Sequence, residues 1–150
     1  MDITMNILEE SSIKLNQSFN TKEEAIRAAG EILVEGQYVK EGYIDEMLKR
    51  EENVSTYMGN FIAIPHGTEN SKDLINKSGI SVVQIPGGVD FGTPEEEKLV
   101  TVVFGIAGVG DEHLDILSKI AIYCSEVENV VKLADASSER EVKELLEGIE

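Results

Sequence analysis

The chain has 150 residues, a length typical of one domain. Such a chain buries roughly 70 % of its unfolded surface and needs no metal or disulfide to fold. With 13 Lys and Arg against 29 Asp and Glu, its formal net charge of −16 disfavours nucleic acid and anionic membrane surfaces as partners. We therefore expect a single domain over residues 1–150, with basic proteins as better partners.

The sequence also bears on the cellular compartment and on whether the chain crosses a membrane. The N-terminal residues contain no basic region followed by an apolar core, and the longest uncharged runs, 53–68, 78–89 and 99–110, are too short or too polar to span a bilayer. The single cysteine, Cys124, cannot form an internal disulfide and lies in an apolar stretch, so we assign it to core packing. These features predict a cytoplasmic protein.

Five segments carry the apolar spacing of amphipathic helices. Thr21 or the residue before it can cap the first helix, Glu23 and Glu24 complement its positive end, and Gly36 can end it. Asp111 can cap the third helix. The predicted helices cover 21–35, 41–52, 112–124, 127–134 and 139–149.

Short β-rich runs lie between these helices, and two of them are almost continuously apolar, as in strands that are covered on both faces. The predicted strands are 13–15 at an edge, 61–64, 80–85 and 100–106. Helices before, between and after the strands predict a layered α/β or α+β domain. We expect a mixed central sheet with helices on both faces.

The only two histidines, His66 and His113, each follow a predicted strand and lie beside glycines. Pro65 cannot donate to a sheet ladder, so His66 stands at the end of its strand, where Gly67 permits close approach of another backbone. His113 falls in the first turn of the third helix, where free N–H groups favour an anion. A neutral imidazole is a nucleophile without a separate base, so covalent phosphoryl carriage is one use for such a residue.

A purely structural role is the alternative for each of these side chains. A histidine at a strand end is often a surface residue, and His113 shares a helix face with Leu117, so it can simply border the core. Arg50 could offer a planar fork to a phosphate, but Glu46, four residues earlier, could instead form a surface ion pair with it. No metal-ligand spacing and no Gly-x-Ser-x-Gly nucleophile motif occurs in the sequence.

Two motifs resemble signatures of the enzyme IIA domains of the sugar phosphotransferase system, mannitol/fructose class. Residues 55–68, STYMGNFIAIPHGT, resemble the phosphorylation-site motif, and residues 104–114, FGIAGVGDEHL, resemble the second signature of the mannitol branch. The segments LKRE at 48–51 and SIKLN at 12–16 also match. The resemblance extends from about residue 6 to residue 146, and it implies a mixed five-stranded sheet flanked by helices.

The resemblance also implies an activity, that of a phosphoryl carrier. His66 would accept a phosphoryl group on its imidazole Nε2 from the phosphohistidine of the carrier protein HPr. It would pass this group in trans to a cysteine of the mannitol enzyme IIB, supporting mannitol uptake. His113 and Arg50 would stabilise the phosphate, so we expect no metal ion and no cofactor. The membrane would be involved only indirectly, through the transporter.

Two other functions stay open at this point. A fructose-branch or regulatory IIA-like domain would accept phosphate and control a partner through its phosphorylation state, whereas a histidine-based hydrolase would release free phosphate. Residues 53–68 and 99–110 carry no charged side chain apart from the titratable His66. We therefore expect a neutral, partly apolar docking patch around His66 and His113, set within an acidic surround.

Overall fold

Five strands form one sheet in a computed structural model that describes residues 7–147. They are β1 (Ile13–Lys14), β2 (Tyr57–Gly59), β3 (Ile62–Ala63), β4 (Gly79–Asp90) and β5 (Leu99–Ala107). Their order across the sheet is β1-β4-β5-β3-β2. The pairs β1–β4 and β3–β5 are parallel, and the pairs β4–β5 and β2–β3 are antiparallel. This confirms the prediction of a mixed five-stranded sheet.

Helices cover both faces of the sheet, as predicted. They are α1 (Lys22–Glu35), α2 (Tyr43–Asn53), α3 (Glu112–Cys124), α4 (Val127–Asp135) and α5 (Glu139–Glu147), with short 3-10 turns at Glu10–Ser12 and Glu69–Leu74. Alternate residues of β5 point to opposite faces: Val102 and Phe104 pack with α3, α4 and α5, whereas Val103 packs with α1 and α2. Over residues 7–147, no helix is long and apolar enough to cross a membrane.

The helix ends largely follow the predicted signals. Thr21 and Glu24 form a capping box in which Thr21 Oγ1 accepts from the Glu24 N–H at 3.2 Å and Glu24 Oε1 accepts from the Thr21 N–H at 3.1 Å. Gly36 follows the last residue of α1. Asp111 occupies the N-cap position of α3, but its side chain makes no capping hydrogen bond. The predicted end of the last helix, at 148–149, lies outside the described residues.

A hairpin that the sequence pattern does not predict joins β2 to β3. Its turn consists of Asn60 and Phe61, with φ angles of 49° and 69°, and Gly59 before it has a φ of 97°. The prediction of a strand beginning at Phe61 is therefore wrong, because this residue lies in the turn. The Asn60 side chain donates to the carbonyls of Cys124 at 3.0 Å and Ser125 at 3.1 Å, which couples the turn to the end of α3.

The ends of the other strands also differ from the predictions. β3 stops at Ala63 because the Ile64 carbonyl accepts a bond from the His66 ring and Pro65 has no N–H to donate. β4 continues to Asp90, well beyond the predicted end at residue 85, with a shift in its pairing to β5 after Gln84. These changes leave the predicted layer arrangement intact.

Candidate active site

His66 lies just beyond β3, half-buried, at the edge of the sheet where β3 and β5 end. It forms a parallel bridge with Ile106, whose N–H donates to the Pro65 carbonyl at 2.9 Å. The ring Nδ1 of His66 lies 2.9 Å from the carbonyl oxygen of Ile64. Because a carbonyl only accepts, Nδ1 carries the hydrogen, and Nε2 keeps a lone pair.

Tyr43 fixes the backbone that follows this histidine. Its buried hydroxyl donates to the Ile106 carbonyl and accepts from the Gly67 N–H, both at 2.8 Å. Burial raises the pKa of Tyr43 to about 12, so the phenol stays protonated and can donate. A Cβ at Gly67 would lie 2.6 Å from the Tyr43 ring, which explains why glycine occupies this position. The sequence analysis does not single out Tyr43, because a tyrosine within the predicted helix 41–52 gives no sign of this contact.

His113 is the second residue of α3, as the sequence predicts. Its Nδ1 lies 3.0 Å from the Gly110 carbonyl, so its Nε2 also keeps a lone pair while the ring is neutral. A Cβ at Gly108 would overlap the His113 backbone, so this glycine allows the turn from β5 into α3 to close. The Val109 N–H donates to Ser78 Oγ at 2.9 Å, which fixes the same turn to the start of β4.

Arg50 is available to a ligand, and the alternative ion pair with Glu46 does not form. Glu46 instead pairs with Lys49 at 3.2 Å and accepts a hydrogen bond from the Thr68 hydroxyl. Arg50 Nη1 donates to the Val54 carbonyl at 2.6 Å, and no carboxylate among residues 7–147 forms an ion pair with this guanidinium. Its remaining N–H donors can therefore bind an anion.

The electrostatic surroundings of His66 favour the neutral imidazole. Burial lowers its pKa below the ordinary value of 6.5, and the positive charges of Arg50 and His113 lower the pKa further. The hydrogen bond to Ile64 and the charge of Glu51 act in the opposite direction. The charges of both residues selected with His66 from the sequence thus act on its pKa, and a neutral imidazole has the lone pair that a nucleophile needs.

Glu51 is a second residue that sequence reasoning did not single out. Only 4 % of this residue is exposed, and its carboxylate accepts from Thr56 and pairs with Lys22 at 3.2 Å. Glu51 belongs to the segment LKRE at 48–51 that resembles the family, but the sequence does not show that its carboxylate is buried or which residues it contacts. A buried carboxylate needs such partners to offset the cost of removing its charge from water.

Neither Cys124 nor a cluster of metal-ligating side chains gives a further site in the described part of the chain. Cys124 is buried among apolar side chains, and burial raises the pKa of its thiol to about 12, which agrees with a packing role. Across residues 7–147, no cluster of three or more His, Cys, Asp or Glu side chains could hold a metal ion.

Comparison with protein families identifies the group to which these residues belong. Residues 6–148 match the family described as the phosphoenolpyruvate-dependent sugar phosphotransferase system, EIIA 2. The chain belongs to this family. Its members are phosphotransferase components, so the resemblance drawn from the two histidine motifs is confirmed at the level of the family.

Individual relatives match over nearly the whole chain. The mannitol-specific phosphotransferase enzyme IIA component of Enterococcus faecalis is 61 % identical over 142 residues, covering 95 % of this chain and 98 % of that protein. The component of the same name from Bacillus subtilis is 55 % identical, with coverage of 92 % and 94 %. The enzyme IIA in the Escherichia coli complex of mannitol enzymes IIA and phosphorylated IIB is 40 % identical, with a TM-score of 0.87 and coverage of 94 % and 97 %.

Proposed function

We propose that this chain is the mannitol enzyme IIA that carries a phosphoryl group on His66 Nε2, from the phosphohistidine of HPr to a cysteine of mannitol enzyme IIB. The observation that carries the proposal is the His66 ring, whose Nδ1 is held by the Ile64 carbonyl at 2.9 Å while its Nε2 keeps a lone pair. The names of the relatives support mannitol, and the Escherichia coli complex supports enzyme IIB as the acceptor.

The chemistry requires no proton movement at His66. The Nε2 lone pair forms a bond to phosphorus as the P–N bond to the donor histidine breaks, and the electron pair of that bond returns to the donor ring. The Nδ1 hydrogen stays in its bond to Ile64 while positive charge develops on the imidazole. In the second transfer a thiolate attacks phosphorus, and the electron pair of the P–Nε2 bond returns to His66.

His113 and Arg50 supply the positive field that phosphoryl transfer needs. The transition state is expected to be loose, with charge on the equatorial phosphoryl oxygens, so positioned cations and hydrogen-bond donors do most of the catalysis. Arg50 contributes guanidinium donors that no carboxylate of residues 7–147 occupies. His113 can donate from Nε2 when its ring is protonated, because Nδ1 is already engaged with Gly110.

The surface around these side chains suits a transient protein partner in the cytoplasm. Val54, Val109 and Leu114, which flank Arg50 and His113 in the chain, are 65 %, 46 % and 55 % exposed. Exposed apolar side chains beside uncharged segments offer a contact patch, and the net charge of −16 favours encounter with a basic carrier. This is the docking patch that we expect HPr and enzyme IIB to use in turn.

Phosphotransfer with purified components tests the proposal. The chain is incubated with phosphorylated HPr, and the label is followed by ³¹P NMR and by a phosphate-dependent gel shift. We expect stoichiometric labelling of the wild type and none of His66→Gln. The matched variant His113→Gln keeps His66 and should still be labelled, at a lower rate. Label that persists on His66→Gln would contradict the assignment of the acceptor.

A second stage separates the carrier from its alternatives. On mixing labelled chain with mannitol enzyme IIB, we expect the label to move to IIB, and to stay in place when the IIB cysteine is replaced by serine. A chain that accepts phosphate but transfers none to mannitol or fructose IIB would be a regulatory domain. Release of free phosphate as fast as transfer would indicate a hydrolase.

A further inference from the structure

Five residues form a continuous hydrogen-bonded path that ends on the ring of His66. Lys22 Nζ pairs with Glu51 Oε2 at 3.2 Å, and Glu51 Oε1 accepts from the Thr56 N–H at 2.8 Å and from the Thr56 hydroxyl at 2.6 Å. The Thr56 carbonyl accepts from the Ile64 N–H at 3.0 Å, and the Ile64 carbonyl accepts from His66 Nδ1 at 2.9 Å. We call this path the Glu51 network.

We propose that Glu51 is a positioning residue for His66, holding the Ile64 carbonyl against the imidazole through Thr56 and placing one buried negative charge behind the ring. The role rests on the proposed phosphoryl transfer, because it concerns the acceptor atom of that reaction. Glu51 touches neither His66 nor any phosphate site directly, so its effect passes through the backbone of residues 56 and 64 and through its charge.

The hydrogen-bond geometry is that of a carboxylate, not of a carboxylic acid. Both oxygens of Glu51 only accept: one takes two bonds from Thr56, and the other takes the ammonium of Lys22. Only 4 % of Glu51 is exposed, so water screens this charge weakly. Because all the hydrogen-bond partners of this buried carboxylate are in place, it restricts the movement of Thr56, whose carbonyl in turn holds Ile64.

The charge of Glu51 opposes the other charges that act on His66. Arg50 and His113 favour the neutral ring, and Glu51 favours the charged ring, whereas Glu46 contacts Thr68 and Lys49 instead of the imidazole. During transfer the ring of His66 gains positive charge as Nε2 bonds to phosphorus. A negative charge behind Nδ1 therefore stabilises the phosphorylated ring, while the same path keeps Nε2 directed at the incoming phosphorus.

Glu51→Gln and Lys22→Met test the proposal with opposite expected signs. Glu51→Gln removes the negative charge, so the pKa of His66 should fall, and acceptance from phosphorylated HPr should slow about tenfold. Lys22→Met removes the cation that neutralises Glu51, so the pKa of His66 should rise. A residue with only a structural role would not shift this pKa in opposite directions.

Matched controls remove the same charges elsewhere. Glu52→Gln removes an exposed carboxylate from the next position of α2, and Lys132→Met removes an exposed ammonium from α4 on the other face of the sheet. We expect both to keep the His66 pKa and the acceptance rate of the wild type. The pKa is read by NMR titration of the unphosphorylated chain; with only two histidines present, the spectrum of His66→Gln assigns the signals.

The outcomes separate this role from the proposed function. The positioning role of Glu51 would be overturned if Glu51→Gln and Glu52→Gln had the same His66 pKa and the same acceptance rate. It would also be overturned if Glu51→Gln and Lys22→Met shifted the His66 pKa in the same direction. Should Glu51→Gln fail to fold, the upward shift in Lys22→Met still decides the matter, and its absence counts against the role. The titration needs no HPr, so it stays informative even if the wild type accepts no phosphate.

Discussion

The two histidines have the same local geometry but differ in what holds them. Each ring directs Nδ1 at a backbone carbonyl, Ile64 at 2.9 Å for His66 and Gly110 at 3.0 Å for His113, and each leaves Nε2 with a lone pair while the ring is neutral. Ring orientation alone therefore does not say which histidine is the acceptor. The difference lies in the elements around the rings.

His66 is held by strand pairing to β5, by the Tyr43 hydroxyl and by the Glu51 network. His113 stands in the first turn of α3, where its own helix and the bond from Val109 to Ser78 fix the turn. The role proposed for His66, which presents Nε2 to two different partners, would gain from a setting with these additional contacts. A residue that stabilises charge works at a helix N-terminus, where phosphate oxygens also find N–H donors.

Among the substitutions that test this difference between the two histidines, replacement of His113 is expected to slow phosphoryl acceptance the most. Replacing it in His113→Ala removes a donor to the phosphoryl oxygens, so single-turnover acceptance should slow by about a hundredfold while the label stays on His66. Quenched-flow measurement of labelled chain checks the rate. Ser118→Ala, an exposed change on the same helix, serves as the control. A rate for His113→Ala equal to that of the control would assign His113 a structural role only.

Replacement of Arg50 is expected to have the next largest effect on the acceptance rate, and the charge of Arg50 determines the direction in which the pKa of His66 shifts. Arg50→Ala should slow acceptance by about tenfold through loss of the guanidinium donors. Because the positive charge of Arg50 lowers the pKa of His66, the variant should raise that pKa. The neutral ring is the nucleophile, so acceptance should begin to fail at a higher pH as the solution is acidified.

Paired titrations and rate profiles check both halves of the Arg50 prediction. Arg140→Ala is the matched control, since Arg140 is an exposed arginine on α5 that pairs with Glu144 at 3.0 Å. A downward or absent shift of the His66 pKa in Arg50→Ala would show that the guanidinium does not act on the ring.

The smallest effect on rate is expected for Tyr43→Phe. The change removes the hydroxyl that bridges Gly67 and Ile106, so the free energy of unfolding should fall by about 1–2 kcal/mol and acceptance should slow by about threefold. Urea denaturation measures the first quantity. Tyr57→Phe, a half-buried change on β2, is the control. Equal free energies of unfolding for the two variants would show that the Tyr43 hydroxyl does not help to hold the segment around His66.

The layer arrangement could be predicted because it rests on local pattern. The apolar spacing of the helices and the two apolar central strands decide which segments must be covered, and each of the five predicted helices is present in the described residues. The β2–β3 hairpin could not be predicted in the same way. Its turn places Phe61 at a φ of 69°, which the residue type does not favour, and Asn60 is bonded to the distant end of α3.

In the candidate site, too, some features could be predicted from the sequence and others could not. By itself the sequence singled out His66, His113 and Arg50, because motif spacing and residue chemistry lie within short segments. Only the tertiary structure decided that no carboxylate among residues 7–147 pairs with Arg50, that Tyr43 bonds to Gly67, and that Glu51 bonds to Thr56. Such choices depend on which of many carboxylates and hydroxyls come within hydrogen-bond distance after residues far apart in the chain pack together, and composition and periodicity do not encode those distances.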